Sequence, residues 1–123
     1  MKKEGLILIM EPERIIGLEL QVLLESNGYA VTQFNAAVLL DEFKDKQKVK
    51  VIIINIDKAK ADDFAYIKTH FLLSEICVIG LSASKRLIKE REGVKFVETF
   101  SKPFDSKNIL SFVNKCCAVN EFR

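Results

Sequence analysis

Long hydrophobic runs are missing from this 123-residue chain. No stretch approaches the roughly 20 apolar residues that a membrane-crossing helix needs. Lys2, Lys3 and the apolar residues 6–10 open like a secretory leader, but the run is too short, and Glu11, Pro12, Glu13 and Arg14 follow at once. Cysteine is scarce: Cys77 lies in an apolar run and Cys116 and Cys117 are neighbours, with no metal-ligand spacing. Reduced core or surface thiols are therefore expected, and with them a cytoplasmic location. Histidine occurs once, as His70, off the apolar face of its segment and without an acid or cysteine at useful spacing, so it reads as a surface residue. Charge of one sign is lacking too. Nineteen basic against 17 acidic residues leave +2, too little to mark a nucleic-acid surface. The basic run at 44–50 and the cluster Lys85, Arg86, Lys89, Glu90, Arg91, Glu92 are read as solvated faces, and neither nucleic acid nor membrane is an expected partner. Internal repeats, low-complexity tracts and linkers are absent, so residues 1–123 are expected to form one domain.

What is present is the composition of a folded protein, 49% hydrophobic and 29% charged. Short apolar runs alternate with helical periodicity. Residues 5–10 suit a strand buried on both faces. Residues 13–27 are helical, with Ile16, Leu20, Leu23 and Leu24 on one face and Gly28 as the stop. A strand at 29–34 precedes a helix at 36–46 capped by Asn35. The isoleucine run at 51–54 is the most strand-like segment. A helix at 61–73 turns Phe64, Ile67 and Phe71 inward, and a strand at 76–81 follows it. The spacing predicts a short charged helix at 84–92 ended by Gly93, a strand at 94–100, and a last helix capped by Asp105 with Ile109, Phe112, Val113 and Cys116 inside. Five βα repeats with doubly buried strands imply an α/β, doubly wound three-layer sandwich around a parallel five-stranded sheet.

In such a sheet, chemistry gathers at the carboxyl ends of the strands. Those ends carry Glu11-Pro12, Asn55 to Asp57, Ser82, and Lys102-Pro103-Phe104. With Ser82-Ala83 and Gly28-Tyr29 in register, the whole chain resembles a response-regulator receiver domain of two-component signalling. That resemblance implies a flavodoxin-like (βα)5 fold with strand order 2-1-3-4-5. It also implies an acidic pair after the first strand, a phosphate-accepting Asp after the third, a hydroxyl after the fourth and Lys-Pro after the fifth. Two positions depart from the pattern: Pro12 replaces one acid, and Asn55 stands at the phosphoacceptor position. Thr99 falls at the switch position.

An amide is a poor nucleophile for phosphoryl transfer. Pro12 offers no oxygen to magnesium and Asn55 only an amide oxygen, so magnesium binding is expected to be weak or absent, with no cofactor and no catalytic residue. Glu11 and Lys102 are expected to face each other, either closing an idle pocket or forming a partly exposed ion pair of little consequence. Ser82 fits a helix N-cap as well as a pocket residue. Ile15, Leu18 and Val22 form a second apolar stripe on the first helix, opposite its inner face, which suits a partner or a second copy of the chain. The expected function is that of an atypical, pseudo-receiver module acting by protein-protein contact without phosphorylation. Its partners would be a histidine kinase, a phosphotransfer or output protein, or itself in a homodimer. The family commonly uses the last helix, the fifth strand and the fourth helix for such contacts. Two alternatives stand beside it: a working phosphoacceptor using Asp57 or an unusual metal geometry, and a flavodoxin-like small-ligand binder. Against the latter, no glycine-rich phosphate loop follows the first strand. Asp57 itself is expected to leave the strand end on the loop, pointing away.

Overall fold

The computed structural model describes residues 5–35, 48–71, 75–84 and 88–121. In chain order its elements are β1 (Leu6–Met10), α1 (Arg14–Ser26), β2 (Ala30–Gln33), β3 (Val49–Asn55), α2 (Ala61–His70), β4 (Cys77–Ser82), β5 (Glu90–Arg91), β6 (Val94–Lys95), β7 (Glu98–Ser101) and α3 (Ser106–Glu121). The main sheet has five strands in the order β2-β1-β3-β4-β7, paired in parallel throughout. Because β7 is the fifth strand of that sheet, this is the expected doubly wound 2-1-3-4-5 arrangement. The helix expected at 36–46 lies outside the described residues.

Alternation along the strands builds the three layers. Leu8, Met10, Ile52 and Ile54 point to the face covered by Phe64 and Ile67 of α2 and by Phe96. Their neighbours Ile7, Ile9, Val51 and Ile53 point to the opposite face, against Leu20 and Leu24 of α1 and Ile109 and Val113 of α3. Period-two geometry thus buries both sides, which is why these strands read as continuous apolar runs. Helix α1 stops where Gly28 takes a φ of +92°. The Gly28 amide then donates to the Glu25 carbonyl and the Tyr29 amide to the Leu24 carbonyl, satisfying the last turn.

Two expectations are overturned. Residues 90–95 form no part of a charged helix: β5 and β6 pair antiparallel, Glu90 with Lys95 and Arg91 with Val94. The two turn residues between them, Glu92 (φ 51°) and Gly93 (φ 83°), have the left-handed backbone that tight hairpins require. The hairpin is drawn onto the core by Val94 and Phe96, both buried. It is also held there by Arg91, whose guanidinium lies 5.6 Å from the centroid of the Phe64 ring and donates to the Ile56 carbonyl at 3.3 Å. Arg91 is thereby committed to structure. The expected strand at 94–100 is accordingly split into β6 and β7.

The second correction concerns the cysteines. Cys77 of β4 and Cys116 of α3 are disulfide-bonded, with their Cα atoms 6.3 Å apart, and are not reduced thiols. The two sit in the same apolar layer once α3 packs on the sheet. Thiol titration of the denatured protein is expected to gain two thiols on reduction. Urea unfolding should shift to lower midpoint when the bond is reduced, by about 2–4 kcal/mol.

Close packing also sets a glycine requirement. A Cβ at Gly80 would collide with the buried Ile56 side chain and sit 3.5 Å from the Phe96 ring. At Gly17 the nearest obstacle is instead the mobile end of the Gln33 side chain, at 2.7 Å. Gly80→Ala is expected to cost about 1–3 kcal/mol. Gly17→Ala should be close to neutral, since a helix-interior gain of about 0.5–1 kcal/mol offsets the displacement of Gln33. Urea midpoints of the two variants check the contrast.

Candidate functional site

The parallel sheet leaves its polar groups at one edge. Glu11 follows β1, Asn55 ends β3, Ser82 ends β4, and Lys102 follows β7. Glu11, Asn55 and Ser82 are buried although polar, so each must be satisfied by a neighbour or incur a desolvation cost.

Lys102 supplies the main compensation. Its Nζ lies 2.7 Å from Glu11 Oε1 and 3.5 Å from Glu13 Oε2. The Glu11 side chain is fully buried and that of Lys102 is 13% exposed. The pair is therefore no exposed surface bridge of little consequence but a dehydrated one, whose rupture leaves a charge stranded. Asn55 Nδ2 donates to the same Glu11 oxygen at 3.1 Å, while Asn55 Oδ1 accepts from the Lys58 amide at 3.1 Å. Those two partners orient the amide: its donor faces the carboxylate and its acceptor faces the following loop.

Asp57 is where the sequence reading went wrong. Its carboxylate turns back to the end of β4. Ser82 Oγ donates to Oδ1 at 2.8 Å, and the Ala83 amide donates to Oδ2 at 2.7 Å. These contacts hold the Asp57 carboxyl below its ordinary value; the Ala83 amide acts most strongly, and Ser82, Lys102 and Lys58 add to it against the opposing cost of desolvation. The turn over residues 56–58, closed by the Ala59 amide on the Asn55 carbonyl at 3.1 Å, brings it there, and no local sequence pattern announced that turn. Counting Asp57, the cluster holds two anions against one cation, where Glu11 and Lys102 alone would have balanced.

Ser82 Oγ also accepts from the Ser84 amide at 3.0 Å, and the Ser84 carbonyl accepts from Ser101 Oγ at 3.1 Å. Ser82 Oγ thus closes a turn onto the Ser84 amide; the helix it was expected to cap, at 84–92, falls partly outside the described residues. Thr99, the switch-equivalent residue, donates through Oγ1 to the Ile88 carbonyl at 2.7 Å and so anchors the approach to the hairpin. Pro12 is exposed, and Lys102-Pro103 is a cis peptide. His70 is exposed and stacks on Tyr66 with centroids 4.0 Å apart.

The donor set does not fit a magnesium ion. One buried oxygen, Glu11 Oε2, has no hydrogen-bond partner and would suit a cation. Around it, however, stand the Lys102 ammonium and the Asn55 NH2 group, both hydrogen-bond donors, and Pro12 brings no oxygen. Among the described residues, no group of three or more His, Cys, Asp or Glu side chains is placed to hold a metal. Asn55, Asp57, Ser82, Glu11 and Lys102 are brought together; Thr99 and Pro12 stand apart, and the stripe Ile15, Leu18, Val22 lies elsewhere, on α1.

Two measurements follow. Lys102→Met is expected to destabilise the fold by about 3–5 kcal/mol at neutral pH, because Glu11 loses its cation while remaining buried. Adding Glu11→Gln should recover part of that loss in a urea double-mutant cycle. Since the Asp57 carboxyl is lowered in the folded state, its contribution is fully present above the ordinary carboxylate range of about 3.9 and lost as pH falls through its lowered value. Asp57→Asn should flatten that acid limb of a stability-versus-pH curve.

No protein-family profile matches the chain, and no curated protein matches it in sequence. Solved structures do match it in fold. A CheY-like receiver domain from Methanospirillum hungatei JF-1 superimposes with a TM-score of 0.75 at 15% identity, over 97% of this chain and 98% of that one. A response regulator from Thermotoga maritima does so with a TM-score of 0.70 at 18% identity, over 94% and 98%. An orphan response regulator of H. pylori gives 0.73 at 14% identity, over 95% and 99%. At these identities the likeness establishes the architecture: this chain has the flavodoxin-like fold of response-regulator receiver domains.

Proposed function

We propose that the chain is a receiver-like signalling module that acts without phosphorylation, by binding other proteins. The observation that carries this reading is Asn55. It sits buried at the end of β3, with its amide nitrogen on Glu11 and its oxygen on the Lys58 amide. A carboxylate there would attack a phosphoryl group; a delocalised amide spends its lone pair on resonance and is a weak nucleophile. The cation that phosphoryl transfer requires would find a single unpartnered carboxylate oxygen, Glu11 Oε2, with the Lys102 ammonium on the other oxygen of the same group. Asp57, the other acid, has both oxygens engaged by Ser82 and Ala83.

The contact surface we propose is α1. Ile15, Leu18 and Val22 are 83%, 54% and 55% exposed. At 3.6 residues per turn they fall within an arc of about 60°, opposite Leu20 and Leu24. Arg14 and Glu25 flank this stripe on one side, at opposite ends of the helix. Two copies of α1 packed antiparallel would set Ile15 against Val22 and place each Arg14 beside the other copy's Glu25, a self-complementary pattern. Glu19, on the other flank, is drawn toward α3 by Ser106 Oγ at 3.0 Å. A second copy is therefore the occupant this face suits. The signalling partners remain those of such a module, a histidine kinase, a phosphotransfer protein or an output protein.

The chemistry is tested by amide NMR of the natural chain with magnesium, then with beryllofluoride. Unmoved resonances at residues 55–57, 82 and 102 are expected; shifts there refute phosphorylation independence. The surface is tested by Leu18→Lys with Val22→Lys, which should change stability by no more than about 0.5 kcal/mol. Sedimentation velocity should read a dimer that this variant loses. A natural chain that stays monomeric at high concentration removes the self-association.

A further inference from the structure

The disulfide lies at the end of the sheet opposite the polar edge. Cys77 is the first residue of β4, in register with Val51, and the bond joins it to Cys116 in the second half of α3. The three cysteines share one apolar layer with Ile109 and Val113, yet they differ in access. Cys116 and Cys117 are 7% and 6% exposed, whereas Cys77 is half-buried. A solvent thiolate therefore meets the bond from the Cys77 side. Two residues before Cys116, Asn114 Oδ1 accepts from the Tyr29 hydroxyl, so the fastened turn of α3 also holds the residue after the Gly28 stop of α1. Cys117 stands next to Cys116 and cannot pair with it. Consecutive Cα atoms are about 3.8 Å apart, below the roughly 4.4–6.8 Å that a disulfide spans. The chain has three cysteines, so an opened Cys116 can bond again within it only to Cys77.

We infer that Cys77–Cys116 is a reversible thiol-exchange switch, opened at Cys77 by a small thiol or dithiol reductant, and that opening it loosens the second half of α3 with its Tyr29–Asn114 contact. The electrons balance in two steps. A reductant thiolate attacks Cys77 Sγ, forming a mixed disulfide, while Cys116 Sγ leaves as a thiolate and takes up a proton. A second reductant thiol then displaces Cys77 Sγ, so the protein bond has gained two electrons and the reductant ends as its own disulfide. The fold survives for two reasons. A cysteine outside a bond packs as a small apolar residue, and Ile109 and Val113 keep α3 on the sheet. What goes is the covalent tie across 39 residues of sequence, and without it that half of the helix can open locally. The inference is independent of Asn55 and of the α1 stripe. It gives the chain a chemical input at the end of the sheet away from Glu11, Asn55 and Lys102.

The test compares the natural chain oxidised by glutathione disulfide with the same chain reduced by dithiothreitol, using amide NMR and amide hydrogen exchange. Reduction should move the resonances of Tyr29 and residues 113–118 and speed exchange across 113–118 by about tenfold or more. Resonances of residues 55–57, 82 and 102 should stay in place, and reoxidation should restore the first spectrum with the bond again at Cys77–Cys116. With reduced glutathione, the mixed disulfide trapped by acid quench should map to Cys77. Cys117→Ala should respond as the natural chain does. Cys77→Ala should hold the reduced α3 spectrum under both conditions; should it fail to fold, Cys116→Ala gives the same readout, and the redox comparison itself needs no substitution. Four results overturn the inference: equal α3 exchange in the two redox states, reduction that shifts the whole spectrum or proceeds only with global unfolding, an adduct that maps to Cys116, or a bond that glutathione disulfide does not form.

Discussion

A single ammonium group, Lys102 Nζ, carries the electrostatics of the sheet's carboxyl edge. The Glu11 carboxylate is fully buried at the end of β1, where an ion without a counter-ion would be prohibitively costly. Lys102 reaches it across the sheet from the far side of β7, and Asn55 reaches the same oxygen from β3. Once that commitment is made, the other groups have few choices. Asn55 must present its NH2 to Glu11, so its oxygen is left for the Lys58 amide. Asp57 feels the Lys102 charge without a direct bond to it and finds its donors in Ser82 and Ala83 at the end of β4. A divalent cation at the unpartnered Glu11 Oε2 would stand beside the Lys102 ammonium held on Oε1. The pocket is closed by its own charges.

The fold was readable because parallel strands buried on two faces write themselves as unbroken apolar runs. Residues 6–10 and 51–54 are such runs, and the structure sends their alternate members to opposite layers. The stop at Gly28 was readable for a related reason: a positive φ is inexpensive for glycine, and the αL cap needs one. Residues at strand ends could be named for the same reason that strands could be placed. Glu11, Asn55, Ser82 and Lys102 follow directly from where the apolar runs stop, and the structure gathers all four at one edge. The outer stripe on α1 was legible from periodicity alone, since Ile15, Leu18 and Val22 repeat at helical spacing away from the core side.

What failed was information that only tertiary contact supplies. Charged residues around Gly93 look helical because Lys, Glu and Arg favour helices, and propensity is a weak prior. Two contacts distant in sequence override it: Phe96 packs edge-to-face on Phe64 with ring centroids 6.1 Å apart, and Arg91 caps the other side of that ring system. Cys77 and Cys116 are separated by 39 residues. Nothing local links them until α3 lies on the sheet, and spacing alone cannot pair cysteines. The disulfide is also unusual for a reducing compartment. In a cytoplasm the same two positions would be thiols packed between β4 and α3, so the redox state of the pair in rapidly quenched cells reads the compartment in which the protein lives.

Asp57 is the most instructive miss, because the error lay in direction and not in identity. A loop residue was expected to point away from the line of attack; the turn at residues 56–58 and the donors at the end of β4 bring its carboxylate to Ser82 and Ala83. Ser82 is fully buried, and a buried hydroxyl needs an acceptor as much as a buried carboxylate needs a donor. In a receiver fold those donors sit where an incoming anion would arrive. Here the chain meets the need from within, through Asp57, two positions beyond Asn55. The carboxylate stands on the loop, and the strand end carries an amide. On the function proposed above, recognition would run through the exposed stripe Ile15, Leu18 and Val22 of α1.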